Sequence, residues 1–173
     1  MRLLSILVLA LAILSPSSQS QAADPQGAIA ALRALPARYQ NGVLRLSADE
    51  GDPNPLNWHI VARNSRDRSV PTNIIVARGE IVSERPTFNP RTLLGGPSPI
   101  DISRVRIDST DVWQRALRFS SDRGRRLGSL SYRLEQKGRH AAPIWSVWCY
   151  DLSGRYIGFI SVLATTGAVT VSR

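Results

Sequence analysis

The sequence predicts an α+β protein of two tandem units, each one helix packed on a short antiparallel sheet, behind an N-terminal signal peptide. Three observations carry the prediction. The chain opens on an apolar run, the order of one helix and then four short strands occurs twice, and the two occurrences keep their landmark residues at matching intervals. Val43 lies 15 residues before Trp58 and Leu130 lies 15 before Trp145, while Trp58 to Gly79 is 21 residues and Trp145 to Gly167 is 22.

Met1-Arg2 is followed by Leu3 to Leu14, apolar except for Ser5, and then by a polar stretch ending Ser20-Gln21-Ala22. This is the pattern of a secretory signal, with cleavage after Ala22 and Ala23 as the alternative site. At 1.5 Å per residue such a run is too short for the ~30 Å hydrocarbon core, so a spanning helix is the weaker reading. No cysteine lies near the cut and no paired arginines precede the apolar run, so neither a lipid anchor nor the twin-arginine route is indicated. The expected organisation is a signal peptide over 1–22, a first helix-plus-sheet unit over 23–85, a Pro/Gly-rich connection over 86–106 and a second unit over 107–173.

In the first unit, Asp24-Pro25 reads as a helix cap followed by proline at the first helical position, with Ala28, Ile29, Leu32 and Leu35 at helical spacing. Pro36 limits or kinks that helix. Asn41-Gly42 turns into a strand over Val43 to Leu46, followed by an acidic loop with Asp49, Glu50 and Asp52. Trp58 to Arg63 alternates as a strand, as does Thr72 to Ala77, and Gly79 turns the chain into Ile81-Val82. The stretch 83–103, with four prolines and Gly95-Gly96, reads as the connecting segment.

The second unit begins where Asp108 or Ser109 caps a helix carrying Val112, Trp113, Ala116, Leu117 and Ser120 on one face, with Gly124 ending it. Strands are predicted over Ser129 to Leu134, Pro143 to Tyr150, Tyr156 to Ala164 and Ala168 to Val171, with a hairpin turn at Asp151 to Gly154. In each unit the helix finds its partner in the apolar face of the sheet. Trp58 and Trp145, at equivalent strand positions, are then the anchors of two small cores, and Gly79 and Gly167 the turn residues.

The composition is that of a globular chain, 43% hydrophobic, with one unusual entry: 22 Lys+Arg against 13 Asp+Glu, a net charge of +9, all of the positive charge but Lys137 being arginine. Nucleic acid is the customary partner of such a balance, but an exported protein rarely meets it, and the anions left are envelope components and acidic partners. With one cysteine and two histidines, the common zinc, iron–sulfur and disulfide frameworks have no ligands, and no cofactor is expected.

His59 alternates with Trp58 and Ile60 and so faces away from them, and His140 lies in a basic loop. Neither has a visible nucleophile to serve as general base, and no Gly-x-Ser-x-Gly elbow is present. Cys149, between Trp148 and Tyr150, is open to three readings, an inert buried residue, an intermolecular disulfide or a reactive thiol, of which burial is favoured. Asp49 to Asn54 lacks the ligand alternation of a calcium loop and reads as an acidic turn. Arg115, Arg118, Arg123, Arg125 and Arg126 cluster on the outer face and end of the second helix, where they are either a solvated face or a patch for a partner or an envelope anion. Asp111 stands four residues before Arg115 and Asp122 four after Arg118, the spacing at which opposite charges pair on a helix.

The Asp108-Ser109 opening, Trp145-Ser146-Val147, Asp151 to Gly154 and Ala164-Thr165-Thr166-Gly167-Ala168-Val169 together resemble the PepSY domain family, and Trp58 to Val61 with Gly79 to Val82 carry the resemblance into the first half. The resemblance implies a cystatin-like fold, one helix across a curved antiparallel sheet, in an extracytoplasmic module. Some such modules occur in peptidase propeptides or are thought to restrain peptidases, and the family motif brings no catalytic residue. The expectation is therefore an exported, non-enzymatic protein-binding or regulatory module, with a small-ligand or lipid carrier as the alternative.

Overall fold

A computed structural model describes residues 26–51, 53–67, 70–87 and 98–173. The signal segment and the Asp24-Pro25 cap lie outside the described residues. The first half contains helices α1 (Ala28–Arg33) and α2 (Ala37–Gln40) and strands β1 (Val43–Gly51), β2 (Asn57–Ala62), β3 (Thr72–Ala77) and β4 (Glu80–Pro86). The second half contains a 3-10 turn at Ile102–Arg104, helix α3 (Ser109–Ser121) and strands β5 (Leu127–Glu135), β6 (Ile144–Asp151), β7 (Tyr156–Leu163) and β8 (Val169–Ser172).

All eight strands join one antiparallel sheet in the order β4-β3-β2-β1-β5-β6-β7-β8. The halves meet where β1 pairs with β5, matching Leu46 with Leu134 and Ala48 with Tyr132. An ion pair marks this seam, Arg45 Nε to Glu135 Oε1 at 2.6 Å, between residues directly opposite each other. The alternation in β2 and β6 explains the layering. Trp58, Ile60, Ala62 and Trp145, Val147, Cys149 are buried on one face, while His59 is exposed and Ser146, Trp148 and Tyr150 are half-buried on the other.

The helices lie on the buried face, and the expected two small cores are one. Ala28, Leu32, Trp58, Val112, Ala116 and Trp145 belong to a single buried cluster. Trp58, Tyr132 and Trp145 meet within it in tilted and edge-on contacts, with centroids 5.7 to 6.3 Å apart. A single sheet brings these rings together across the seam, which two separate sheets would not do.

Each indole also donates a hydrogen bond to the carbonyl just ahead of a helix, Trp58 Nε1 to Gln26 at 2.9 Å and Trp145 Nε1 to Ile107 at 3.0 Å. The polar edge of each ring is thereby satisfied in an apolar setting and fixes its helix on the sheet. Gly79 and Gly167 adopt φ of +79° and +78°, the left-handed region that L side chains rarely enter.

Asp108 joins the two helices at their starts. Its carboxylate accepts from Ser109 N at 2.7 Å as the cap of α3, and Oδ1 also accepts from Ile29 N at 3.2 Å in the first turn of α1. Ser109 Oγ accepts from Ala28 N at 3.3 Å and donates to Asn54 Oδ1 at 2.9 Å. The first N–H groups of α1 are thus satisfied from 79 to 81 residues away. Gly27 permits the approach, since a Cβ there would collide with the Asp108 carboxylate.

Several boundaries differ from the sequence expectation. The first helix is split at Pro36, which lacks the N–H an uninterrupted helix needs and serves as the cap of α2. The chain over Asp49 and Glu50 belongs to β1 rather than a loop, because pairing with β5 resumes across a register shift there at Gly51, opposite Leu130. β4 runs to Pro86, which an edge strand tolerates. The end of the connection is attached to the sheet: Ile100 is buried and its N–H donates to Val43 O at 2.6 Å, and Asp101 N donates to the buried Gln136 side chain at 2.9 Å. On α3, Phe119 is buried and Leu117 is 37% exposed, so Phe119 holds the place expected of Leu117.

Candidate interaction surface

Helix α3 is amphipathic, with Val112, Ala116, Phe119 and Ser120 buried against the sheet. Its remaining surface carries the predicted arginines, and the structure divides them into two groups. Arg115, Arg118 and Arg123 border one open groove of about 620 Å³ between α3 and the β7–β8 hairpin, over Phe119, Ile160, Val169 and Ser172. Arg125 and Arg126 lie beyond the helix end and line a separate hollow of about 370 Å³ with Asp151, Leu152 and Ser153.

The three groove arginines have unequal tasks. Arg115 is half-buried and clamps two carbonyls, donating from Nε to Gly167 O at 2.6 Å and from Nη1 to Asp111 O at 2.7 Å. It therefore ties α3 to the turn before β8. Arg123 stacks on the Phe119 ring with its guanidinium carbon 3.7 Å from the centroid, and Nη1 donates to Phe119 O at 3.4 Å. Arg118 is exposed.

The expected helical ion pairs do not form. The Asp111 carboxylate instead accepts from Asp108 N at 3.2 Å and closes the capping box of α3. Ion pairs among the described residues are Arg38–Glu84 and Arg45–Glu135, both remote from this groove. Asp111 and Asp122 also border the groove, so its lining holds three arginines against two carboxylates, a small cationic excess. Residues 101–173 hold twelve of the 22 basic and six of the 13 acidic side chains, most of the surplus.

The remaining candidates fall apart spatially. His59 and His140 are both exposed, on the outer face of β2 and in the loop after β5. Cys149 is buried in β6, where burial pushes its thiol up to about 12 despite the opposing charge of Arg123. Tyr132 Oη donates to Pro53 O at 2.8 Å, so the segment expected as an acidic turn is held to the second half.

Sequence reasoning missed Gln136. It is buried, accepts from Asp101 N and donates from Nε2 to Gly138 O and Arg139 O at 3.0 and 2.9 Å. A glutamine following strand β5 carries no local signal for that role. On the outer sheet face, Trp148 packs on Phe159 and beneath the Arg133 guanidinium at 5.1 Å. Family models, curated proteins and solved structures give no match to this chain.

Proposed function

We propose that this chain is an exported, non-enzymatic binding or regulatory module that contacts a protein partner through the cationic groove beside α3. The observation carrying the reading is the gathering of Arg115, Arg118 and Arg123 along one groove, with Arg115 fixed to the β8 turn. Its two halves are PepSY-like, cystatin-like units. The matched indole bonds of Trp58 and Trp145 and the matched left-handed Gly79 and Gly167 support that equivalence. The PepSY resemblance makes restraint of a peptidase one form such regulation takes. The signal-like opening supports a periplasmic or extracellular place of action. The alternative, a small-ligand carrier, would use the open hollow of about 600 Å³ that Leu32, Gln40, Ile100, Ile102 and Gln136 line between the halves.

The test compares capture from envelope extract by wild-type protein, by Arg118→Glu/Arg123→Glu and by Arg125→Glu/Arg126→Glu. Loss of a captured protein in the first variant and its retention in the second is the expected result. Equal capture by all three overturns the role of the groove.

A further inference from the structure

We infer that strand β8 is an open docking edge that takes up an acidic, extended peptide segment as a ninth strand, its carboxylates facing Arg118 and Arg123. The inference rests on the binding-module reading and names the chemistry of the partner.

The two edges of the sheet are built differently. β4 carries Glu80, Glu84, Arg85 and Pro86, and its pairing with β3 is broken by a bulge at Ile75/Val76. Charges, proline and bulges are the devices that stop an edge from pairing. β8 shares the bulge, its register with β7 shifting between Ser161 and Val162, but Val169–Ser172 carries no charge or proline: it reads Val-Thr-Val-Ser, with Val169 50% and Val171 38% exposed.

Its free hydrogen-bonding groups have a defined position. Arg173 and Phe159 exchange both backbone bonds, Phe159 N to Arg173 O at 2.8 Å and Arg173 N to Phe159 O at 2.9 Å. Antiparallel ladders alternate, so the N–H and C=O of the neighbouring Ser172 point away from β7 toward the open edge. Ser172 also faces the helix side, since it is opposite the core residue Ile160 and borders the α3 groove. A strand added about 4.8 Å beyond β8 sets its own helix-side residues beside Ser172 and under the arginines. Those residues exchange the backbone bonds with Ser172, and carboxylates suit them by charge. A second copy pairing through β8 brings two cationic grooves side by side on one sheet face, so like-charge repulsion disfavours that occupant.

The probe is an eight-residue peptide alternating threonine and glutamate, titrated calorimetrically into the full chain at low ionic strength. A lysine-for-glutamate counterpart and peptides N-methylated either on the glutamates or on the threonines complete the set. Binding is expected to fall about tenfold or more for the lysine peptide, for the glutamate-methylated peptide and for the protein variants Arg118→Glu/Arg123→Glu and Ser172→Pro. The threonine-methylated peptide, whose blocked N–H groups face outward, should stay within about threefold of the parent. The Ser172 N–H makes no bond to β7, so proline there leaves the ladder intact.

Absence of binding by the parent peptide overturns the inference. So does equal binding of the two methylated forms, which is charge attraction without strand addition, and so does self-association of the protein abolished by Ser172→Pro. If the peptide arms fail while charge reversal still abolishes partner capture, the β8 inference falls and the binding-module reading stands. If peptides bind as expected and capture is indifferent to charge reversal, the β8 inference stands and the groove's role in capturing that partner falls.

Discussion

The indole rings of Trp58 and Trp145, 87 positions apart in the chain, lie 6.3 Å centroid to centroid at an interplanar angle of 55°. Each holds the start of a different helix, so the contact couples both halves. Trp58→Phe and Trp145→Phe each leave a carbonyl without its donor, at an expected cost of about 1–3 kcal/mol. A double-mutant cycle should give a coupling of about 0.5–1.5 kcal/mol between them. Urea unfolding followed by fluorescence and circular dichroism measures both. Two separate transitions, one per half, would contradict the single core.

Asp108 caps α3 and supplies an acceptor to α1. Asp108→Ala is expected to cost about 2–4 kcal/mol, more than an ordinary cap, and Asp108→Asn to recover part of it. Gly27→Ala should also destabilise by more than about 1 kcal/mol, because its Cβ meets the Asp108 carboxylate. Gly138→Ala, with nothing within 4 Å of a Cβ, is the neutral control. Equal effects of the two glycine substitutions in thermal unfolding would refute the close approach.

Local periodicity made the elements legible and left their assembly hidden. Trp58-His59-Ile60 announces its two faces by alternation, and Asp108 with Asp111 announces a helix start. The seam is another matter. Nothing near Asp49 and Glu50 signals a strand, because what holds β1 there is β5, about 80 residues later. The arginine cluster was readable as a cluster, but its division depends on where the β7–β8 hairpin passes beneath α3. The supposed Asp111–Arg115 pair failed for a local reason: the carboxylate has a nearer partner in the backbone of Asp108.

Cys149 should behave as an inert thiol. Its folded pKa, about 12, lies above the unfolded value, so its contribution to stability is full below about pH 8.5 and declines as pH rises toward 12. Labelling by a disulfide reagent at pH 8 is expected to follow the rate of unfolding. Cys149→Ala should lose less stability than wild type on passing from about pH 9 to 11. Rapid labelling of the folded protein would show the thiol to be accessible.

Glu84 gives the opposite pH dependence. The Tyr39 hydroxyl, donating at 2.5 Å, and then Arg38 at 3.0 Å hold its carboxyl below the usual range against the effect of burial. A depressed folded pKa stabilises above the unfolded value, about 4.3, and that contribution is lost as pH falls through the folded one. The stability gap between wild type and Glu84→Gln should therefore close on acidification below about pH 4. A gap unchanged down to pH 2.5 would exclude this linkage.

Pairing β1 with β5 also changes how many strand edges the chain exposes. Among the described residues, two separate four-stranded sheets have four, whereas the continuous sheet has two, and the pair it conceals are its nine-residue strands. A chain severed between the halves uncovers both at once, each with a row of backbone donors and acceptors open to another molecule. Either half made alone is thus expected to precipitate, and the two made together to recombine, so the seam protects against aggregation as well as closing the core.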